Sequence, residues 1–520
     1  MNTYPKPNHS SENCILTARR TRFASLCISG LCLFALLPWT ALKAESDGRP
    51  SDTEITAAVD GEFIYDSVVP FNEIDVMTAA GIVTLSGECK TLLAKERAEA
   101  IAESTRGVRS VVNLVTVKPV VRDNEEIRRD VKEGLLNDAA TESYEVQVEV
   151  DNGTVTLAGT VDSWQEKELV SSVTKGIKGV AGVQNNLLVA YETERLDTEI
   201  QRDVEAVLAR DIWVDDLLVD ADVSDGVVTL SGTVGSVAEK RRAFSDAWVT
   251  GVVSVDDEKL SVEPWAKDEM RKERKAPVKT DGSIEVAVKD SLLYDPRVLS
   301  FNPEIEVTNG VVTLTGVVNN LKAKRAAEQD ARNTVGVWRV KNHLKIRSEV
   351  QPDDSTITAN IRKAFIRDPY LDRYEIGVSS IDGMVYLDGT VDSYFEKGHA
   401  EDLASVIKGV TGVNNNITVS FPQITHYDLP FDMYYAMSYH RIPLDPEAWP
   451  FASDGELKDR IEDELFWSPF VDSDEVDVTV SNGIATLRGA VDDGVSEYNA
   501  AEENAWEAGP RNVINKLVIE

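Results

Sequence analysis

A chain of 520 residues carrying 54 Lys and Arg against 89 Asp and Glu, formal charge −35, is too long for one compact domain. Its apolar share of 42% argues against wholesale disorder. The carboxylate excess argues against nucleic acid as a partner, because phosphate contacts need clustered cations.

The first 44 residues are expected to be a signal peptide. Arg19, Arg20 and Arg22 precede an apolar run from Phe23 to Leu37, and Ala44 offers a small residue for cleavage. Ser25, Ser29 and Gly30 leave that run short of a spanning helix, although an uncleaved anchor stays open. Cleavage would leave a net charge of −39 and a single cysteine, Cys89, so the mature chain could form no internal disulfide.

The rest of the chain repeats one pattern six times. Residues Gly81–Cys89 read GIVTLSGEC, and related blocks begin at Gly153, Gly226, Gly310, Gly383 and Gly483. A second glycine follows each first one: Gly87, Gly159, Gly232, Gly316, Gly389 and Gly489. Their expected role is structural, in turn geometry and close packing. A phosphate loop is excluded, since no GK[ST] and no helix N-terminus follows.

Within each copy the elements come in a fixed order. An apolar stripe such as Ile55/Val59/Phe63 or Ile200/Val204/Leu208 predicts an amphipathic helix. Period-two alternation, as in Val146/Val148/Val150, predicts a strand. Asn-Gly or Asp-Gly then turns the chain in five copies, the strongest short hairpin signal. A second strand, a longer helix and a V-x-N-x-L-V-like strand complete the unit. The expected fold class is therefore α+β: six tandem α-β-β-α-β domains, each a three-stranded sheet with two helices on one face.

The two-glycine hairpin, the later Gly-Val and this element order resemble the BON domain, named for bacterial OsmY and nodulation proteins. The expected domains are 53–118, 124–191, 197–263, 281–348, 355–421 and 454–519, with a basic linker at 264–280 and an aromatic linker at 422–453. The resemblance implies a periplasmic, exported protein, OsmY-like and linked to osmotic or envelope stress. It implies no enzyme and no catalytic residues. The expected partners are membrane phospholipids, bound peripherally, or envelope proteins; no nucleic acid, cofactor, metal or small-molecule substrate is expected. An acidic, stress-protective protein without lipid contact is the alternative.

Two departures from the acidic background are candidate sites. Residues 264–348 carry a net charge of about +5, whereas repeat six carries −11. In the last strand of repeat four, Arg339, Lys341, His343, Lys345 and Arg347 alternate with Trp338, Val340, Asn342, Leu344 and Ile346. Period two places the basic set on one face, as a strip for anionic headgroups or a solvated face that offsets acidic neighbours. The aromatic linker holds Tyr427, Phe431, Tyr434, Tyr435, Tyr439 and Trp449, expected to pack on its own repeats or on a partner. Most of the remaining Asp and Glu are expected to be solvated, and Cys89 to be a core residue. The linkers are expected to divide the repeats into groups of three, two and one.

Overall fold

The computed structural model describes residues 50–141, 145–191, 195–263, 266, 279–295, 297–298, 303–347, 352–420, 453–468, 471–491, 495–508, 510 and 512–519. The expected signal peptide and nearly all of both linkers lie outside the described residues, and so do the six aromatic candidates from Tyr427 to Trp449.

Every repeat has the order helix, strand, strand, helix, strand. In repeat 2 these elements are Asn124–Asn137, Val146–Asp151, Thr154–Val161, Trp164–Lys175 and Gly182–Val189. The hairpin strands pair antiparallel and the last strand joins the second one in parallel, so the middle strand is central. The apolar stripe of each first helix is buried, Ile55, Val59 and Phe63 being 0–1% exposed, and each repeat closes its own core.

One carboxylate fixes the position of the hairpin relative to the first helix. Asp52, Asp197, Asp281, Asp354 and Asp454 open their helices, and each accepts the two backbone N–H groups of its hairpin turn at 2.8–3.0 Å. These amides hold the Asp281 and Asp354 carboxyls below the usual carboxylate range. Repeat 2 has Asn124 at this place. The turn itself needs two left-handed residues, supplied by Asn-Gly or Asp-Gly and, in repeat 1, by Ala80 at φ 53°.

A second clamp closes the other end of the module. Asn113, Asn185, Asn342, Asn415 and Asn515 occupy one position of the last strand, which is interrupted just after it in repeats 1, 4 and 5. Each donates from Nδ2 to a carbonyl of its second helix (2.8–3.1 Å) and accepts from the N–H two residues on. Repeat 3 substitutes Lys240, whose ammonium donates to the carbonyls of Asp257 and Leu260 at 2.8 Å.

The repeats pair across the chain. Ala139 N–H donates to Val406, Lys408 N–H to Asn137, and, reciprocally, Lys178 N–H to Arg367. Repeats 2 and 5 thus meet about a local two-fold axis, with the same surface of each against the other. The matching bonds in repeats 3 and 4 are Ile212 N–H to Asn333 (3.1 Å) and Val335 N–H to Arg210 (2.9 Å). At the corresponding place in repeats 1 and 6, the Arg106 guanidinium lies 5.3 Å above the Phe466 ring. The second helices of repeats 1, 2 and 3 also meet one another. Lys175 pairs with Glu96 at 2.6 Å, Arg241 reaches Glu99 and Glu103, and Trp164 stacks on Trp248 with centroids 5.2 Å apart. The expected grouping into three, two and one is therefore not what forms. Contacts between repeats follow complementary surfaces and override the linker lengths.

The second glycine carries a steric test. A Cβ at Gly232 would sit 2.1 Å from the Leu218 carbonyl oxygen, whereas at Gly389 the corresponding distance, to the Glu375 carbonyl oxygen, is 3.1 Å; the two φ values are 119° and 154°. Both Gly→Ala changes incur backbone strain of about 1–3 kcal/mol. Gly232→Ala should lose about 2 kcal/mol more through overpacking. Calorimetric unfolding of the two variants measures the difference.

Candidate binding surface

The sheet face turned away from the helices is exposed in each repeat, and the basic strip lies on it. Arg339 and Lys341 sit in the strand Arg339–Asn342, Lys345 in Lys345–Ile346, and His343 and Arg347 immediately after each. All five side chains are exposed, and among the described residues none of them has an ion-pair partner. The kink at His343 leaves the parity unchanged, because Arg339 pairs with Val311 and Lys345 with Val317 at the same offset.

Neighbouring strands set the local field. The central strand offers Val311, Thr313, Thr315 and Val317 on this face, and the far strand offers Glu304 and Glu306. Glu306 lies opposite Thr313, which lies opposite Lys341, so acid and base stand two strands or about 10 Å apart. That distance is comparable to the Debye length at physiological salt, about 8 Å. The strip thus keeps its own positive field at contact range while the opposite edge is acidic.

Not every alternate residue of this strand points inward. Leu344 is buried and Val340 and Ile346 are half-buried, but Trp338 is 54% exposed. Its indole N–H donates to the Asn309 carbonyl at 2.8 Å and the ring covers Gly310. The turn's free carbonyl outweighs the alternation there.

The strip is confined to repeat four. The positions corresponding to Arg339 and Lys341 are Ser110 and Val112, Gly182 and Gln184, Ser254 and Asp256, Gly412 and Asn414, and Asn512 and Ile514. Repeat 1 has a different outer face, where Met77, Ile82, Val112 and Leu114 are exposed together across three strands. Sequence alternation marked these residues only as outward-facing; the apolar Met77 and Leu114, at positions that are polar in the other repeats, were the available signal.

The interior holds exceptions within the expectation that most carboxylates are solvated. Asp246 and Asp330 lie in a cavity of about 510 Å³ between repeats 2, 3 and 4, and their Oδ2 atoms are fully buried without hydrogen-bond partners. Repeats 1, 2 and 5 place Ile101, Val173 and Leu403 at the same offset from the first glycine. The other basic and histidine groups inside are paired: His399 Nε2 contacts Asp368 at 2.7 Å, and Arg97 and Arg242 occupy the equivalent place against Asp66 and Asp211. Cys89 is buried in the core of repeat 1, donating to the Thr91 carbonyl, and burial pushes its thiol pKa up. Among the described residues no group of three or more His, Cys, Asp and Glu is placed to hold a metal ion. No described helix is long and apolar enough to cross a membrane.

The fold and this surface define an array of small α+β modules whose distinctive exposed chemistry is carried on a sheet face. The chain belongs to the BON domain family, whose pattern matches residues 51–119, 123–191, 196–264, 280–348, 353–420 and 453–520. Among curated proteins it is similar to the Osmotically-inducible protein Y of Escherichia coli (strain K12), with 36% identity over 143 residues, 26% of this chain and 71% of that protein. Two solved structures of CdsD, a structural protein of the type III secretion system of Chlamydia trachomatis, align with 43% and 42% of this chain. They cover 99% and 98% of theirs, at 16% and 13% identity. Both TM-scores are 0.12, too low to bear on the architecture.

The contact between repeats 1 and 3 carries a pH dependence. Glu103 is buried against Arg241 at 2.8 Å, and burial, only partly offset by Arg241, pushes its pKa up to about 7. A folded-state value raised above the unfolded one gives stability that is lost as pH rises through about 7. Glu103→Gln should remove about 1–2 kcal/mol of the stability lost between about pH 6 and about pH 8. Calorimetry of both proteins across that range tests the sign.

Proposed function

We propose that this chain is a non-enzymatic envelope protein that docks peripherally on anionic phospholipid surfaces through the outer sheet face of repeat four. The observation that carries this reading is the set of five exposed, unpaired basic side chains within a chain of formal charge −35. A net negative protein is repelled by an anionic surface at long range. Among the described residues the cationic face of repeat four is the one suited to approach, each of its cations contributing about 1 kcal/mol. The charge distribution therefore sets orientation as well as affinity. The reading gives one lipid contact per molecule, with the other repeats left as spacers and protein-facing modules. The apolar leader sequence supports export, and similarity to an osmotically inducible protein supports a role under osmotic stress.

The test is co-sedimentation with vesicles of mixed phosphatidylglycerol and phosphatidylcholine. Binding should fall as salt rises. Joint replacement Arg339→Glu, Lys341→Glu, Lys345→Glu and Arg347→Glu should reduce it at least about tenfold. Unchanged retention in that variant would overturn the lipid reading.

A second reading, contact with an envelope protein, is favoured by the apolar outer face of repeat 1. Met77→Glu with Leu114→Glu should then abolish co-purification of that partner while vesicle retention persists. Co-purification that survives both changes would count against this surface.

A further inference from the structure

The junction between repeats 3 and 4 contains more negative charge than its cations balance. Repeat 3 contributes Asp211 and Asp246 with Arg242; repeat 4 contributes Asp295 and Asp330 with Arg297. Arg242 Nε donates to Asp211 at 2.7 Å and lies 3.6 Å from Asp246. Arg297 Nε donates to both Asp295 oxygens at 2.9 Å and its Nη2 lies 4.0 Å from Asp330. Each half thus has two carboxylates, one guanidinium, and one carboxylate oxygen, Asp246 Oδ2 or Asp330 Oδ2, buried with no partner. In each half the two carboxylates flank a single guanidinium, at 2.7 and 3.6 Å from Arg242 in one and at 2.9 and 4.0 Å from Arg297 in the other.

The surroundings supply little further compensation. Arg210, from the first helix of repeat 3, lies 3.9 Å from Asp290 of repeat 4 and also opposes the rise of the Asp246 pKa, less strongly than burial and Asp211 drive it. Lys322 is paired with Asp138 of repeat 2 at 3.1 Å, and Glu168 faces the same cavity from the second helix of repeat 2. The indole N–H of Trp248 is buried there without an acceptor. The junction of repeats 2 and 5 is an internal control. It uses the same backbone bonds but carries Val173 and Leu403 where Asp246 and Asp330 stand.

We propose that the seam between repeats 3 and 4 is proton-operated: closed, it holds one proton in each of the pairs Asp211/Asp246 and Asp295/Asp330, and losing them opens it. Two protons make the four carboxyls carry two negative charges, matching Arg242 and Arg297. Burial and the neighbouring Asp both push the Asp246 and Asp330 pKa values well above the ordinary range. The closed state then binds more protons than the open one, so its stability falls as pH rises through those raised values.

Hydrogen exchange of the full chain reads the seam directly. Ile212 and Val335 N–H groups report on it, and Ala139 and Lys178 report on the junction of repeats 2 and 5, whose own titrating groups are His399 beside Asp368, and Asp402. From about pH 5 to about pH 8, corrected for intrinsic rates, protection at 212 and 335 should fall at least about tenfold more than at 139 and 178. Asp246→Asn with Asp330→Asn should abolish that difference. Should that pair fail to fold, Asp246→Val with Asp330→Leu, the residues of repeats 2 and 5, should do the same. Equal pH response at both junctions, or a difference that survives substitution, would overturn the proposal.

Discussion

The carboxylate that opens the first helix in five of the six repeats is the constraint from which the module follows. By accepting both amides of the hairpin turn, it ties the start of one element to the tip of another. Any insertion between them would separate a charged acceptor from two donors. The first stripe residue and the first glycine accordingly stand 26 positions apart in all six copies, while residue identities between them vary widely. These Asp side chains are at the surface, so their role is geometric registration more than stability. With the hairpin registered, the second glycine can take the strand past its neighbour's carbonyl, and the Asn clamp can close the final strand.

Fixed backbones leave the surfaces free to diverge. Repeat four has placed cations on its outer edge, repeat one exposes apolar side chains in the same rows, and repeats three and four have placed acids on their inner helices. The chain therefore keeps one scaffold and distributes different chemistry over its copies. This is how a single fold supports unlike contacts in one molecule.

Much of the fold was legible in the sequence because its signals are local. Asn309-Gly310 marks a hairpin wherever it stands, and Ile284/Val288/Leu292 marks a buried stripe without knowledge of its neighbours. The basic strip was legible for the same reason: period two alone assigns Arg339 and Lys341 to one face. Trp338 broke that period because a hydrogen bond to a turn carbonyl is invisible to alternation. The pairing of repeats was beyond reach. Lys178 meeting Arg367 depends on two surfaces separated by more than a third of the chain, and no periodicity encodes it. Asp246 and Asp330 did not stand out for a related cause. An acid on a helix looks solvated until a second repeat is laid over it.

The order in which the repeats pair, third with fourth, second with fifth, first with sixth, has a consequence for how the chain folds. The pairs are nested, so the third and fourth repeats close the shortest loop and the first and sixth the longest. Loop-closure entropy grows with length, by about 0.6 kcal/mol per doubling, and each inner pair shortens the effective loop for the next. Assembly should therefore zip outward from the middle of the chain once each repeat has formed. During synthesis from the N-terminus, the first three repeats must wait for their partners to emerge. The last repeat completed is the one that seals the array.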